Sequence, residues 1–326
     1  ELRQAIAEKL KRENGLDFTS ENIVVSTGAK QSIANVLLSI IDPGDEVIIF
    51  APYWVSYIEM VKLAEGNSVI VTGTIENDFK ITARQVEEAI TENTKAILFS
   101  SPCNPTGSVF TKNELTAIAE VVAKHEQIIV ISDEIYEYIN FGDKHFSIGS
   151  IAAIKDRVVT VNGFSKGYAM TGWRVGYIGA EKSIAAACDK LQGQITSGTC
   201  SIAQKAAFAA ITGSNDAAKE MSTAYLRRRD LVIGLLREIP NLKVNVPQGA
   251  FYGFPDVSFY LGKSFNGTKI NTAGDLAMYL LNEGKVAAVG GDAFGAPNCL
   301  RISFAASDEN LVEACRRIKE CLAKLQ

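Results

Sequence analysis

Leu2, Ile6 and Leu10 recur at every fourth position with charged residues between them, so Glu1–Asn14 predicts an amphipathic helix that Asn14-Gly15 stops. That helix opens without a capping residue, and an upstream segment is expected before Glu1. Short apolar runs then follow at Ile23–Ser26, Glu46–Phe50, Ser68–Val71, Ala96–Ser100, Ile128–Ser132, Val158–Val161 and Val175–Ile178, and they read as buried strands. Helical patterns at Gln31–Ile41, Thr82–Ile90 and Thr111–His125 lie between several of them, and Thr111 with Glu114 has capping-box spacing. The alternation predicts an α/β fold, a mostly parallel sheet covered by helices on both faces.

The pattern changes after about Glu181. Two long helical stretches, Ile184–Thr212 and Asp216–Glu238, are followed by short strands at Lys243–Val246, Ala250–Phe254, Val286–Val289 and Leu300–Phe304. Helices at Thr272–Glu283 and Asp308–Lys324 are mixed among them. This organisation predicts a large domain over 1–220 and a smaller α+β C-terminal domain over 221–326, the N-terminal part of the small domain being expected upstream of Glu1. The run Arg227-Arg228-Arg229-Asp230 reads as a solvated, salt-bridged helix face rather than a nucleic-acid patch.

The chain of 326 residues is long enough for two domains, and 47% hydrophobic residues with 21% charged ones suit a soluble enzyme with a sizeable core. A net charge of −4, with both signs interspersed, argues against binding to nucleic acid or to an anionic membrane. No apolar run approaches the roughly 18 residues of a spanning helix. Six cysteines without a CxxC pair point to free thiols in a reducing compartment, and the protein reads as cytoplasmic. Two histidines leave little material for a metal site. His125 reads as structural, and His145, in a polar loop, receives no role.

In open α/β sheets ligands bind beyond the carboxyl ends of the strands, so the residues after each strand carry the candidate chemistry. Thr27-Gly28-Ala29-Lys30 opens a helix and offers amides for a phosphate. Asn104-Pro105-Thr106-Gly107, Asp133-Glu134-Ile135-Tyr136 and Asn162-Gly163-Phe164-Ser165-Lys166 follow three further strands. Taken singly these are turns and caps; the Gly-Ala-Lys turn lacks the spacing of a nucleotide P-loop, and the Asn-Pro-Thr-Gly tetrapeptide is a good turn on its own.

Together they carry a resemblance. Pro52-Tyr53-Trp54-Val55-Ser56-Tyr57, Asn104-Pro105-Thr106-Gly107, Ser132-Asp133-Glu134-Ile135-Tyr136, the block from Ser165-Lys166 through Gly172-Trp173-Arg174 to Tyr177, and Leu300-Arg301-Ile302-Ser303-Phe304 resemble the class I, fold-type I pyridoxal-phosphate-dependent aminotransferases along the whole chain. The resemblance implies that Lys166 carries pyridoxal 5'-phosphate as a Schiff base and later moves the substrate's α-proton. It implies Asp133 on the pyridine nitrogen, Tyr136 and Asn104 on the cofactor's 3′ oxygen, and Trp54 on the ring. Ser165, Arg174 and the amides of Gly28 and Ala29 are implied for the phosphate, and Arg301 for the substrate α-carboxylate.

Lys30 narrows the substrate. The Gly-Ala-Lys-Gln turn resembles the bacterial-type aspartate aminotransferases, where this lysine meets the distal carboxylate. The implied reaction moves an amino group from L-aspartate to 2-oxoglutarate by a ping-pong route, with a homodimer sharing its active sites. The stretch Gln192–Gly198 departs from the usual form, which leaves open how the partner subunit contributes. A broader amino-acid range with prephenate, aromatic or alanine donors, or a C–S lyase on the same scaffold, would keep nearly every cofactor residue. A ligand sensor would need a DNA-binding domain that the chain does not show.

Overall fold

The computed structural model describes residues 1–326. Seven strands form the main sheet: β1 (Ile23–Ser26), β2 (Glu46–Ala51), β3 (Asn67–Thr72), β4 (Thr94–Ser100), β5 (Ile129–Asp133), β6 (Val158–Gly163) and β7 (Gly176–Gly179). Their order is β1-β7-β6-β5-β4-β2-β3, and only β7 runs antiparallel to its neighbours. The carboxyl ends of the other six therefore share one edge with the start of β7. This is the predicted mostly parallel sheet, and that edge is where the candidate residues fall.

Both faces of the sheet are dry, which is why its strands read as continuous apolar runs rather than alternating ones. Val47, Ile49, Ala96, Leu98, Ile131 and Val161 pack on one side against α2 (Ala29–Ile40), α3 (Ser56–Leu63) and α6 (Lys182–Ile195). Ile48, Phe50, Ile97, Phe99 and Val130 face α4 (Ala83–Ala89) and α5 (Lys112–Ala123) on the other. The Thr111 capping box forms as expected at the start of α5. The first helix, α1 (Leu2–Lys9), buries Leu2 and Ile6 in a cluster shared with α7 (Ser201–Thr212) and runs into one π turn (Leu10–Asn14) that buries Leu10 and is closed by Gly15 at φ +73°.

A separate core gathers residues between Val232 and Leu325, drawn from the end of α8 (Asp216–Arg237) and from α9 (Ala273–Gly284) and α10 (Asp308–Ala323). A three-stranded sheet of β8 (Tyr252–Gly253), β11 (Val289–Gly290) and β12 (Leu300–Ser303) belongs to it, with a small hairpin of β9 (Ser264–Phe265) and β10 (Thr268–Lys269) beside it.

Three expectations change; the strand expected over Val286–Val289 forms only as the two-residue β11, Val289–Gly290. Ile184–Thr212 is not one helix but α6 and α7, broken over Thr196–Cys200, where Ser197 takes φ +59° and Gly198 follows. The β-branched and glycine residues there have poor helix propensity. Lys243–Val246 forms no strand, only an isolated bridge from Lys243 to Asp256. Asn245 turns its side chain to Asp78 and to the Thr106 carbonyl, and Pro247 has no N–H to continue a ladder. The arginine run is salt-bridged as expected, with Arg227 and Arg228 both reaching Asp308.

Candidate active site

A cavity of about 200 Å³ opens at the shared strand edge, lined by Ala29, Lys30, Trp54, Asn104, Asp133, Tyr136, Ser165, Lys166 and Arg174 among others. Nine of the eleven residues singled out in the sequence thus line one cavity. The other two, Gly28 and Arg301, stand directly behind lining residues. Arg301 Nη1 donates to Asn104 Oδ1 at 2.9 Å, and Gly28 lies against the Arg174 guanidinium.

Each side chain is placed by the end of an element. Asp133 is the last residue of β5 and is buried. Its Oδ2 accepts from the Tyr57 hydroxyl at 2.7 Å and its Oδ1 from the Ile135 amide at 3.2 Å. Burial without a cation in contact pushes this carboxyl up to about 6, although the Tyr57 bond pulls the other way. Lys166 follows β6 and lies 5.5 Å from the Tyr136 ring centre and 5.4 Å from that of Phe251. Its burial, together with the Arg301 charge, lowers its pKa and favours the neutral amine. Trp54, just after β2, carries the Lys30 ammonium 4.9 Å from its ring centre.

The turn into α2 is shaped for an anion. Gly28 has φ +85°, and a Cβ there would fall 2.2 Å from Arg174 Nη2, so only glycine lets the guanidinium approach the helix N-terminus. Arg174 itself takes φ +55° and is held by Nη1 donating to the Thr171 carbonyl at 2.9 Å. Gly176 is equally constrained, because its Cβ would strike the Ala29 amide at 2.1 Å.

Sequence reasoning missed Tyr57, Ser100, Ile135 and Thr171 as lining residues. Tyr57 stands in the quoted Pro-Tyr-Trp-Val-Ser-Tyr motif and could have been found there; nothing in the pattern distinguishes the others from core and turn. His145 needs a correction. It is no loop bystander: its side chain is 8% exposed and its Nε2 lies 2.9 Å from Glu134 Oε2. Glu137, paired with Lys9 and Asn14, completes this buried polar cluster. Burial opposes charge on His145, but Glu134 and then Glu137 outweigh it and raise its pKa.

The family profile "Aminotransferase class I and II" matches residues 1–318. The chain belongs to that family. The aminotransferase is 47% identical over 331 residues to the bifunctional aspartate aminotransferase and glutamate/aspartate-prephenate aminotransferase of Petunia hybrida, covering 100% of this chain and 69% of that protein. It superimposes on the aspartate aminotransferase of Rhizobium meliloti with a TM-score of 0.96 at 40% identity, over 100% of this chain and 82% of that one. The aspartate aminotransferase of Thermus thermophilus with maleate gives a TM-score of 0.90 at 41% identity, over 98% and 81% of the two chains. The fold is that of the fold-type I transferases, and the aminotransferase is pyridoxal-phosphate dependent.

The cavity fits this cofactor. A buried carboxylate without a cation awaits a protonated ring nitrogen, a glycine turn with an arginine beside it suits a phosphate, and the Ser100 hydroxyl is buried without a partner.

Proposed function

We propose that this aminotransferase transfers the amino group of L-aspartate to 2-oxoglutarate, with Lys30 receiving the distal carboxylate and Arg301 the α-carboxylate. One observation carries the reading: two cations from different elements converge on one site, Lys30 lining the cavity at the start of α2 and Arg301 on β12 hydrogen-bonded to the lining Asn104, and neither forms an ion pair. A dicarboxylate substrate would satisfy both. The relative solved with maleate, itself a dicarboxylate, supports the assignment.

When bound, pyridoxal phosphate supplies an electron sink for the carbanion left at the substrate's Cα. The chain's own residues do the rest. Lys166 would hold the cofactor and, with its amine, move the substrate's α-proton; burial and the neighbouring arginines keep that amine neutral enough to act as a base. Asp133 would keep the ring nitrogen protonated, and Tyr57 fixes the carboxylate for that task. Tyr136 and Asn104 would hydrogen-bond the cofactor's 3′ oxygen. Ser165, Arg174 and the amides of Gly28 and Ala29 would hold the phosphate, and Trp54 would cover a face of the ring.

The aminotransferase acts as a homodimer in the cytoplasm on this reading. Exposed Trp173 and Ile202 line a cleft that also includes Arg174, an apolar patch beside the site that a second copy would cover. Six free cysteines suit a reducing compartment.

A panel of donors and acceptors tests the substrate. Aspartate with 2-oxoglutarate should give the highest kcat/KM, and prephenate is the second acceptor to try because the Petunia relative is named for it. Release of a thiol from cysteine conjugates without any need for a keto acid would replace the reading with a lyase.

A further inference from the structure

Tyr252 has no role so far, yet it touches both halves of the site. It lies on β8, where β12 pairs with Ser303 opposite Tyr252 and Ile302 opposite Gly253. Its hydroxyl is 2.9 Å from that of Tyr136, and its ring centre is 4.7 Å from the Arg301 guanidinium carbon. The side chain is buried, and Tyr136 is its hydroxyl's one hydrogen-bond partner. A second ring, Phe294, lies 4.8 Å from the same guanidinium carbon.

We infer that Tyr252 is a positioning residue serving both halves of the reaction: its hydroxyl aims the Tyr136 proton at the cofactor, and its ring holds Arg301 flat for the substrate carboxylate. This rests on the cofactor and substrate reading given above. Each phenol has one proton to give. If Tyr136 gave its proton to Tyr252, only lone pairs would remain to face the cofactor's oxygen, which is itself an acceptor. If Tyr252 donates instead, Tyr136 keeps its own proton for that oxygen, and the chain of two hydroxyls makes Tyr136 the stronger donor. Binding therefore selects the order Tyr252 to Tyr136 to cofactor. The ring acts separately. A guanidinium over an aromatic face is held by the quadrupole as well as by its hydrogen bond to Asn104, so less freedom is lost when it grips a carboxylate.

The two parts are separated by two substitutions in the holoenzyme. Tyr252→Phe removes the hydroxyl and keeps the ring; Tyr252→Leu removes both. The pH titration of the bound cofactor's absorbance without substrate reads the first part. A weaker donor leaves the cofactor's oxygen more basic, so Tyr252→Phe should move that titration upward by about 0.3 unit. The dissociation constant for maleate, measured from the same absorbance, should stay within about twofold. Tyr252→Leu should show the same upward shift and in addition weaken maleate about three- to tenfold, the size of a partly buried cation–π contact. A Tyr252→Phe enzyme that titrates like wild type overturns the inference even if it is less stable, because a packing role alone lowers melting temperature without moving the titration. A folded Tyr252→Leu enzyme with wild-type maleate affinity also overturns it. Should the leucine variant not fold, the phenylalanine variant decides alone. Wild-type enzyme that neither titrates in this way nor binds maleate would overturn the underlying reading of the site instead.

Discussion

The Lys30 ammonium sits 4.9 Å from the centre of the Trp54 ring, held over an aromatic face. It is thereby kept at the mouth of the cavity and available to an anionic substrate. Replacement of Lys30 by serine should lower kcat/KM for aspartate and glutamate roughly ten- to a hundredfold, the value of one charge-assisted contact. Alanine and aromatic donors should change by less than about threefold on the same basis. An equal loss for all donors would place Lys30 on the cofactor phosphate instead.

Lys166→Ala should keep the fold, still bind pyridoxal phosphate and lose transamination by roughly 10²–10⁴-fold or more, the loss expected for a general acid–base group. Borohydride reduction of the wild-type holoenzyme should fix the cofactor to the peptide that contains Lys166. A label on another lysine would contradict the assignment.

Asp133 predicts an unusual pH dependence for the cofactor-free protein. Burial raises its carboxyl to about 6, above the ordinary 3.8, so folding favours the protonated form. Its contribution is complete below the unfolded value and is lost as pH rises through about 6. At pH near 7.5 cofactor-free Asp133→Asn should therefore be more stable than wild type by on the order of 1–3 kcal/mol, with the gap closing toward pH 4. The same variant should bind pyridoxal phosphate weakly. Denaturant melts at the two pH values check the sign; a gap that widens on acidification would refute the account.

His145 acts with the same sign but at higher pH. Its pKa is raised above the ordinary 6.5, since Glu134 and Glu137 outweigh its burial. Its stabilisation is complete below 6.5 and fades as pH climbs through the raised value. Lys9, Glu13 and Tyr138 share the cluster, and burial with the Glu137 charge beside it raises the Tyr138 phenol still further above this range. Wild type should accordingly lose melting temperature on going from mild acid to mild alkali, and His145→Gln should flatten that slope. An unchanged slope in the variant would assign it to other groups.

Much of this protein is local. The strands β1, β2, β4 and β6 begin or end within two residues of their apolar runs, because a strand buried on both faces must be apolar throughout. The Thr111 cap and the Gly15 stop were equally legible, since each depends on backbone groups within one turn. The motif residues also declared themselves, as side chains at strand ends that a core would not use. Tertiary structure alone decided what these residues meet. Tyr57 reaches Asp133 across 76 positions, Arg301 reaches Asn104 across 197, and His145 is buried because Lys9 and Glu137 close over the same cluster. No local pattern encodes such pairs, because each needs two elements brought together by the packing of a sheet edge. The break between α6 and α7 lay between the two cases. Its weak helix formers were visible, but propensity is a small term that packing routinely overrides, and only the assembled core shows that here it was not overridden.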